Sequence, residues 1–162
     1  DEVFSWVKVI FKGIDPREKR LVEAACLLGD IGWSEHPDYR AVHSFTRVLR
    51  LPIAGITHRE RVLLALSIYH RYDGDEYGPE ITLTTKLIDH KDRDLAFILG
   101  SVLKLAHKLS GGVPGLLIQT KLVKTENGYF VDFSNKEHLF NTKYAANLVS
   151  KINRHIRSLD FC

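Results

Sequence analysis

Apolar residues recur at helical spacing along most of the chain, and the phase breaks where glycine, proline or clustered polar residues intervene. Val3, Val7, Ile10 and Phe11 form the first stripe and predict an amphipathic helix from the start of the chain to near Gly13. Asp15-Pro16-Arg17-Glu18 then supplies a capping carboxylate, a proline at the first helical position and an acid at the third, so a helix over 16–31 is expected around the run Leu21 to Leu28. Gly32 closes it, and Pro37-Asp38 opens another, with Tyr39, Val42, Phe45, Val48 and Leu49 expected on its buried side. After the connection Leu51 to Gly55, Thr57-His58-Arg59-Glu60 reads as a capping box. In the helix that follows, 58–72, Val62, Leu63, Leu64, Ala65, Leu66, Ile68 and Tyr69 cover nearly every direction, the pattern of a helix enclosed by others.

Polar residues Asp73 to Pro79 predict a loop, Leu83 to Leu87 a short helix, and Asp92 the cap of a long helix that runs to about Leu109 before Gly111-Gly112. The pattern then changes. Leu116 to Val123 and Tyr129 to Phe133 are β-prone, and Glu126-Asn127-Gly128 between them predicts a tight hairpin with positive φ at Asn127 and Gly128. Leu139, Phe140, Tyr144, Leu148, Ile152 and Ile156 trace one face of a last helix. The expected fold is mostly α: a helical bundle over residues 1–112, with an annex at 113–162 in which a two-stranded hairpin and a final helix pack on it. No repeat, low-complexity tract or flexible linker interrupts the chain.

With 162 residues, 44% of them hydrophobic, the chain can bury one core. No stretch approaches the roughly 20 apolar residues that span a bilayer, and the start lacks the pattern of a signal peptide, so a soluble, cytoplasmic protein is expected. The absence of methionine points to a segment excised from a longer product. Cys26 sits in an apolar pattern and Cys162 is the last residue, which gives neither a disulfide framework nor a zinc motif. A formal charge of +3 suits an anionic partner but equally an ordinary solvated surface. Basic residues are not interleaved with aromatics as in a stacking platform, so no nucleic-acid partner is expected.

Several segments in order carry a resemblance: Leu27-Leu28-Gly29-Asp30-Ile31-Gly32, His36 to Tyr39, His43-Ser44, Gly55-Ile56-Thr57-His58-Arg59-Glu60-Arg61 and Tyr69-His70-Arg71. Together they resemble the C-terminal part of the exopolyphosphatase and guanosine pentaphosphate phosphohydrolase family. The later stretch from Leu109-Ser110-Gly111-Gly112 to Thr120, with hairpin and last helix, is similar to its alphaproteobacterial-type members. The resemblance implies an HD-like helical domain attached to two actin-like lobes, absent here, which would cleave terminal phosphoanhydride bonds of inorganic polyphosphate with Mg²⁺. It implies polyphosphate or guanosine pentaphosphate as partner of the parent protein, the protein's own N-terminal lobes as neighbours, and a homodimer as an option. No cofactor is expected in the domain itself.

A catalytic HD site needs imidazoles and carboxylates converging on a metal that activates water. Gly29 stands where the histidine of the pair would precede Asp30, and no histidine occurs before His36, so the position is expected to be degenerate, with no metal and no catalytic residue. Asp30 then reads as a helix-terminal acid accepting from backbone or arginine. Arg40, His43 and Arg47 fall in one helical row, which fits either a polyanion contact or a solvated face beside acids. His58, Arg59 and Arg61 occupy the first turn of the central helix, where free amides and the dipole favour an anion; pairs from Arg59 to Glu35 or Asp38 are the competing explanation. Tyr69-His70-Arg71 suits the negative end of that helix, with His70 a satisfied core residue, and Lys86, Lys91, Arg93 and the row Lys104, His107, Lys108 read as solvated charges. The expected function is an accessory domain that binds and guides a polyanion; the rivals are an interaction module without phosphate contact and an independent metal phosphohydrolase.

Overall fold

A computed structural model describes residues 2–74, 77–133 and 142–158. Seven α-helices and one hairpin follow in the order α1 Glu2–Val7, α2 Pro16–Leu28, α3 Pro37–Arg50, α4 His58–Arg71, α5 Pro79–Thr84, α6 His90–Ser110, β1 Thr120–Thr125, β2 Gly128–Phe133 and α7 Thr142–Ser158. The fold is mostly α, with the hairpin and last helix packed on the bundle as expected.

Helix α4 is central. Leu64, Ala65, Leu66 and Ile68 are fully buried, each large side chain worth roughly 1.5–3 kcal/mol of burial. It lies against α2, α3 and α6, and its approach to α6 depends on Gly100, where an added Cβ would collide with the Ser67 carbonyl and sit 2.6 Å from His70 Cβ. Ion pairs fix the helix directions. Arg17 of α2 meets Glu60 at the start of α4, and Arg59 meets Asp92 at the start of α6. Asp30, past the end of α2, meets Arg71 and His107 at the ends of α4 and α6. The three helices therefore run the same way, with their N-termini at one pole of the bundle and their C-termini at the other.

Several boundaries differ from the sequence pattern. Helix α1 stops at Val7, yet Ile10 and Phe11 still reach the core from the turns that follow. Helix α2 ends at Leu28, before the expected residue 31. Tyr39 and Val42 are 60% and 42% exposed, because the face of α3 turned to the core carries Ser44, Phe45 and Val48, with Ala41 and Leu49 at its edges. Asp89, not Asp92, caps α6, accepting from the Asp92 amide at 2.9 Å, while Asp92 lies inside the first turn. The short helix begins at Pro79 and leaves Leu83 and Leu87 exposed. A 3₁₀ turn at Leu117–Gln119 replaces the first residues expected in β1.

The hairpin pairs Thr125 with Gly128 across Glu126 and Asn127; φ is +124° at Gly128, and Asn127 stays on the negative side, unlike the expected turn. Gly128 is needed for proximity as well, since a Cβ would stand 2.8 Å from the Asn153 amide of α7. That amide clasps the backbone of Tyr129, accepting from its N–H at 2.8 Å and donating to its carbonyl at 2.9 Å. Tyr144, Leu148, Ile152 and Ile156 of α7 face the core; Leu139 and Phe140 lie outside the described residues. Among the described residues no helix is long and apolar enough to cross a membrane.

Candidate functional site

The capping box of α4 organises the N-terminal pole. The Thr57 amide and hydroxyl donate to Glu60 Oε2 at 2.6 and 2.7 Å, and the Glu60 amide donates back to Thr57 Oγ1. The Thr57 donors hold the Glu60 carboxyl below the usual carboxylate range, with Arg17 assisting through an ion pair at 2.8 Å. Arg59 forks onto Asp92, with Nε to Oδ2 at 2.6 Å and Nη2 to Oδ1 at 2.5 Å, and this acceptor raises the guanidinium above its ordinary value. The Asp92 side chain is 3% exposed and that of Arg59 58%. Buried acids thus grip two exposed guanidiniums by one edge and leave the other edge to solvent.

Sequence reading named His58, Arg59 and Arg61 here, and the structure separates them. Arg59 pairs with Asp92, not with Glu35 or Asp38. Arg61 is spent on the chain leaving α3, donating to the carbonyls of Leu51 and, at 3.3 Å, Ile53. The His58 side chain is exposed and has no hydrogen-bond or ion-pair partner among the described residues, and the same holds for the side chains of Arg20 and Arg50. Arg20 lies over Gly55 in the α3–α4 connection, and Arg50 is the last residue of α3, where that connection starts. Arg17 and Arg20 were missed from the sequence because their place beside α4 is set by tertiary packing.

The row Arg40, His43, Arg47 does share one face of α3, and it converges on the α2–α3 connection. His43 Nδ1 is 2.9 Å from Glu35 Oε2, and Arg47 donates to Glu35 Oε1 at 3.1 Å and to the Ile31 carbonyl at 2.7 Å. The hydrogen bond from His43 is the main reason the Glu35 carboxyl sits below its usual range, with Arg47 and Arg40 assisting. Arg40 donates to the carbonyls of Glu35 and Trp33, its guanidinium 5.8 Å from the Tyr72 ring centre. Ser44 is buried while His43 is exposed, which leaves no nucleophile and base pair.

At the C-terminal pole Asp30 accepts from Arg71 at 3.2 Å, the arginine partner that sequence reading anticipated. Its oxygen faces a guanidinium and position 29 is glycine, so these residues do not fit a divalent metal. Among the described residues no group of three or more His, Cys, Asp or Glu could hold such an ion. His70 is satisfied, 3.1 Å from both the Gly74 carbonyl and the Tyr77 hydroxyl. Burial pushes the Cys26 thiol up to about 12, which removes it as a nucleophile. Asp94 joins His90 at 3.0 Å to His155 at 3.1 Å and so ties α6 to α7.

Residues 5–146 match the family model for the exopolyphosphatase C-terminal domain, and the chain belongs to that family. No curated protein matches it.

Proposed function

We propose that this exopolyphosphatase C-terminal domain binds and guides a polyphosphate chain toward catalytic lobes elsewhere in the parent protein, where Mg²⁺-assisted cleavage of the terminal phosphate would occur. The observation that carries the reading is the N-terminal pole of α2, α4 and α6. There Arg17 and Arg59 are held outward by buried acids, with His58 next to Arg59 on α4, Arg20 one turn along α2 from Arg17, and Arg50 at the end of α3 on the same side of the bundle. A guanidinium already fixed on one edge loses less side-chain freedom when its other edge meets a phosphate oxygen. Three aligned helix N-termini add positive potential in the same direction. Arg40, His43 and Arg47 would contribute only as far as Glu35 releases them, and Arg61 would act through the shape of the α3–α4 connection. Guanosine pentaphosphate offers the same chemistry on a shorter anion.

The test is titration of the chain with long-chain polyphosphate at two salt concentrations, beside an Arg17→Ala, Arg59→Ala double variant. Saturable binding is expected, with a log–log salt slope of about −3 for four phosphate contacts and a shallower slope in the variant. Absence of binding at low salt would overturn the reading. A second reading, contact with the catalytic lobes or another copy of the chain, is favoured by Leu83 of α5 and Leu87 of the 3₁₀ turn after it, 63% and 59% exposed. Sedimentation velocity of the wild type against Leu83→Asp tests the self-association form of it.

A further inference from the structure

A cavity of about 310 Å³ opens at the C-terminal pole, walled by Asp30, Arg71, His107 and the Cys26 thiol. Arg71 is the unusual member. Its side chain is only 7% exposed, and its one hydrogen bond among the described residues is the 3.2 Å contact with Asp30, itself 71% exposed. A guanidinium carries five N–H donors, and burying it under-satisfied is costly. Among the described residues the enclosed side-chain atoms without a partner are Ser44 Oγ and Tyr144 Oη, so the spare nitrogens of Arg71 are not sealed off. Stacking over Tyr72, with 4.6 Å from guanidinium to ring centre, fixes the plane of the group.

Two acids, Asp30 and Glu2, share the wall with one guanidinium, and the C-termini of α2, α4 and α6 lie at the same pole, so a bare anion is disfavoured there and one that brings its own proton is not. Burial pushes the His107 imidazole below its ordinary value, seconded by Arg71, with Lys108 and Arg40 acting in the same sense and Asp30 opposing them. Glu2, the other acid on the wall, is spent on the amides of Gly115 and Ile118 at 2.8 and 3.2 Å. Asp30 remains as one carboxylate beside an arginine with donors to spare. Such a pair suits an oxyanion that still carries a proton, because its O–H can donate to the carboxylate while its other oxygens accept from the guanidinium.

We propose that this cavity binds inorganic phosphate in a protonated form, with Arg71 as donor and Asp30 as acceptor, and that Asp30 discriminates against sulfate. Sulfate is fully deprotonated near neutral pH and would meet the carboxylate as a bare like charge. The site lies at the opposite pole from the polyphosphate track and stands independently of it.

The experiment is calorimetric titration of the chain with phosphate and with sulfate at equal ionic strength and neutral pH, for wild type, Asp30→Asn, Arg71→Lys and the Arg17→Ala, Arg59→Ala double variant. Wild type is expected to bind phosphate about tenfold or more tighter than sulfate, the factor one charge-assisted hydrogen bond supplies. Asp30→Asn should bring the two affinities to within about twofold, and Arg71→Lys should weaken phosphate about tenfold by breaking the planar fork. The double variant should behave as wild type. No saturable phosphate binding, equal affinities in wild type, or phosphate binding lost only in the double variant would each overturn the proposal. Should Arg71→Lys fail the folding check by circular dichroism, Asp30→Asn decides, since that side chain is exposed.

Discussion

Replacing Arg59 by Met leaves the Asp92 carboxylate buried without its bidentate partner. Loss of one member of a fully buried pair costs about 3–5 kcal/mol, and half of this pair is open to water, which brings the expected loss to about 2–3 kcal/mol. For a chain of this length each kcal/mol moves the midpoint by about 2–4 °C, so Arg59→Met should melt roughly 4–12 °C below wild type. Asp92→Leu loses the same pair and an acid in the first turn of α6, where the dipole favours it, by about 0.5 kcal/mol. The double variant Arg59→Met, Asp92→Leu should recover most of the loss, because an apolar pair of similar volume needs no counter-charge. Urea denaturation of the four proteins completes the cycle, and a coupling of about 1.5 kcal/mol or more is expected. Additive single effects, or an Arg59→Met protein within about 0.5 kcal/mol of wild type, would refute the view that Asp92 depends on Arg59.

Asn153→Asp keeps an acceptor for the Tyr129 amide but sets a carboxylate oxygen against the Tyr129 carbonyl; a loss of about 2 kcal/mol is expected, with faster amide exchange across the hairpin. Gly100→Ala in a helix interior ordinarily gains close to 1 kcal/mol, yet collision with Ser67 and His70 should invert the sign, with a loss of about 2 kcal/mol in thermal denaturation. Cys26 has a folded value raised from 9.0 to about 12, so above pH 9 the unfolded chain has given up a proton that the folded one keeps, and stability falls with rising pH through that window. Cys26→Ala should lose less over that range, and in a Cys162→Ser background native Cys26 should react with a thiol reagent at pH 8 far more slowly than in urea. Glu35 is depressed in the folded state, so its contribution is present above the ordinary carboxylate value and lost as pH falls through the folded one. Glu35→Gln should flatten that part of the acid unfolding curve.

Helices were legible wherever the apolar period was long and the caps were local, as in α4, where Thr57 and Glu60 are three residues apart. Legibility failed where a competing partner is remote. Asp89 and Asp92 both suit a cap, and only Arg59, 33 residues away, decides that Asp92 belongs inside the turn. Tyr39 and Val42 lie near enough to the stripe of Phe45 and Val48 to look buried, and among the described residues no neighbouring helix covers them. The same distance effect separated the candidate site into parts. Arg40, His43, Arg47, His58 and Arg59 could be named from the sequence, but Arg17 could not, nor Glu35, Asp92 and Glu60 as holders, nor the meeting of Arg71 and His107 at Asp30, which are 41 and 77 residues further along the chain.

Trp6 donates from Nε1 to Thr120 Oγ1 at 3.1 Å and to the Thr120 carbonyl at 3.2 Å, across 114 positions of sequence. So distant a contact is expected to close late in folding, after the locally connected helices α2 to α6 have condensed, since joining far-separated segments must first overcome loop-closure entropy. The chain's other tryptophan, Trp33, is 60% exposed at the α2–α3 connection, whereas Trp6 is 8% exposed. Refolding followed by fluorescence should therefore separate into two kinetic signals: a Trp33→Phe protein reports the docking of α1 on the hairpin, and a Trp6→Phe protein reports assembly of the bundle.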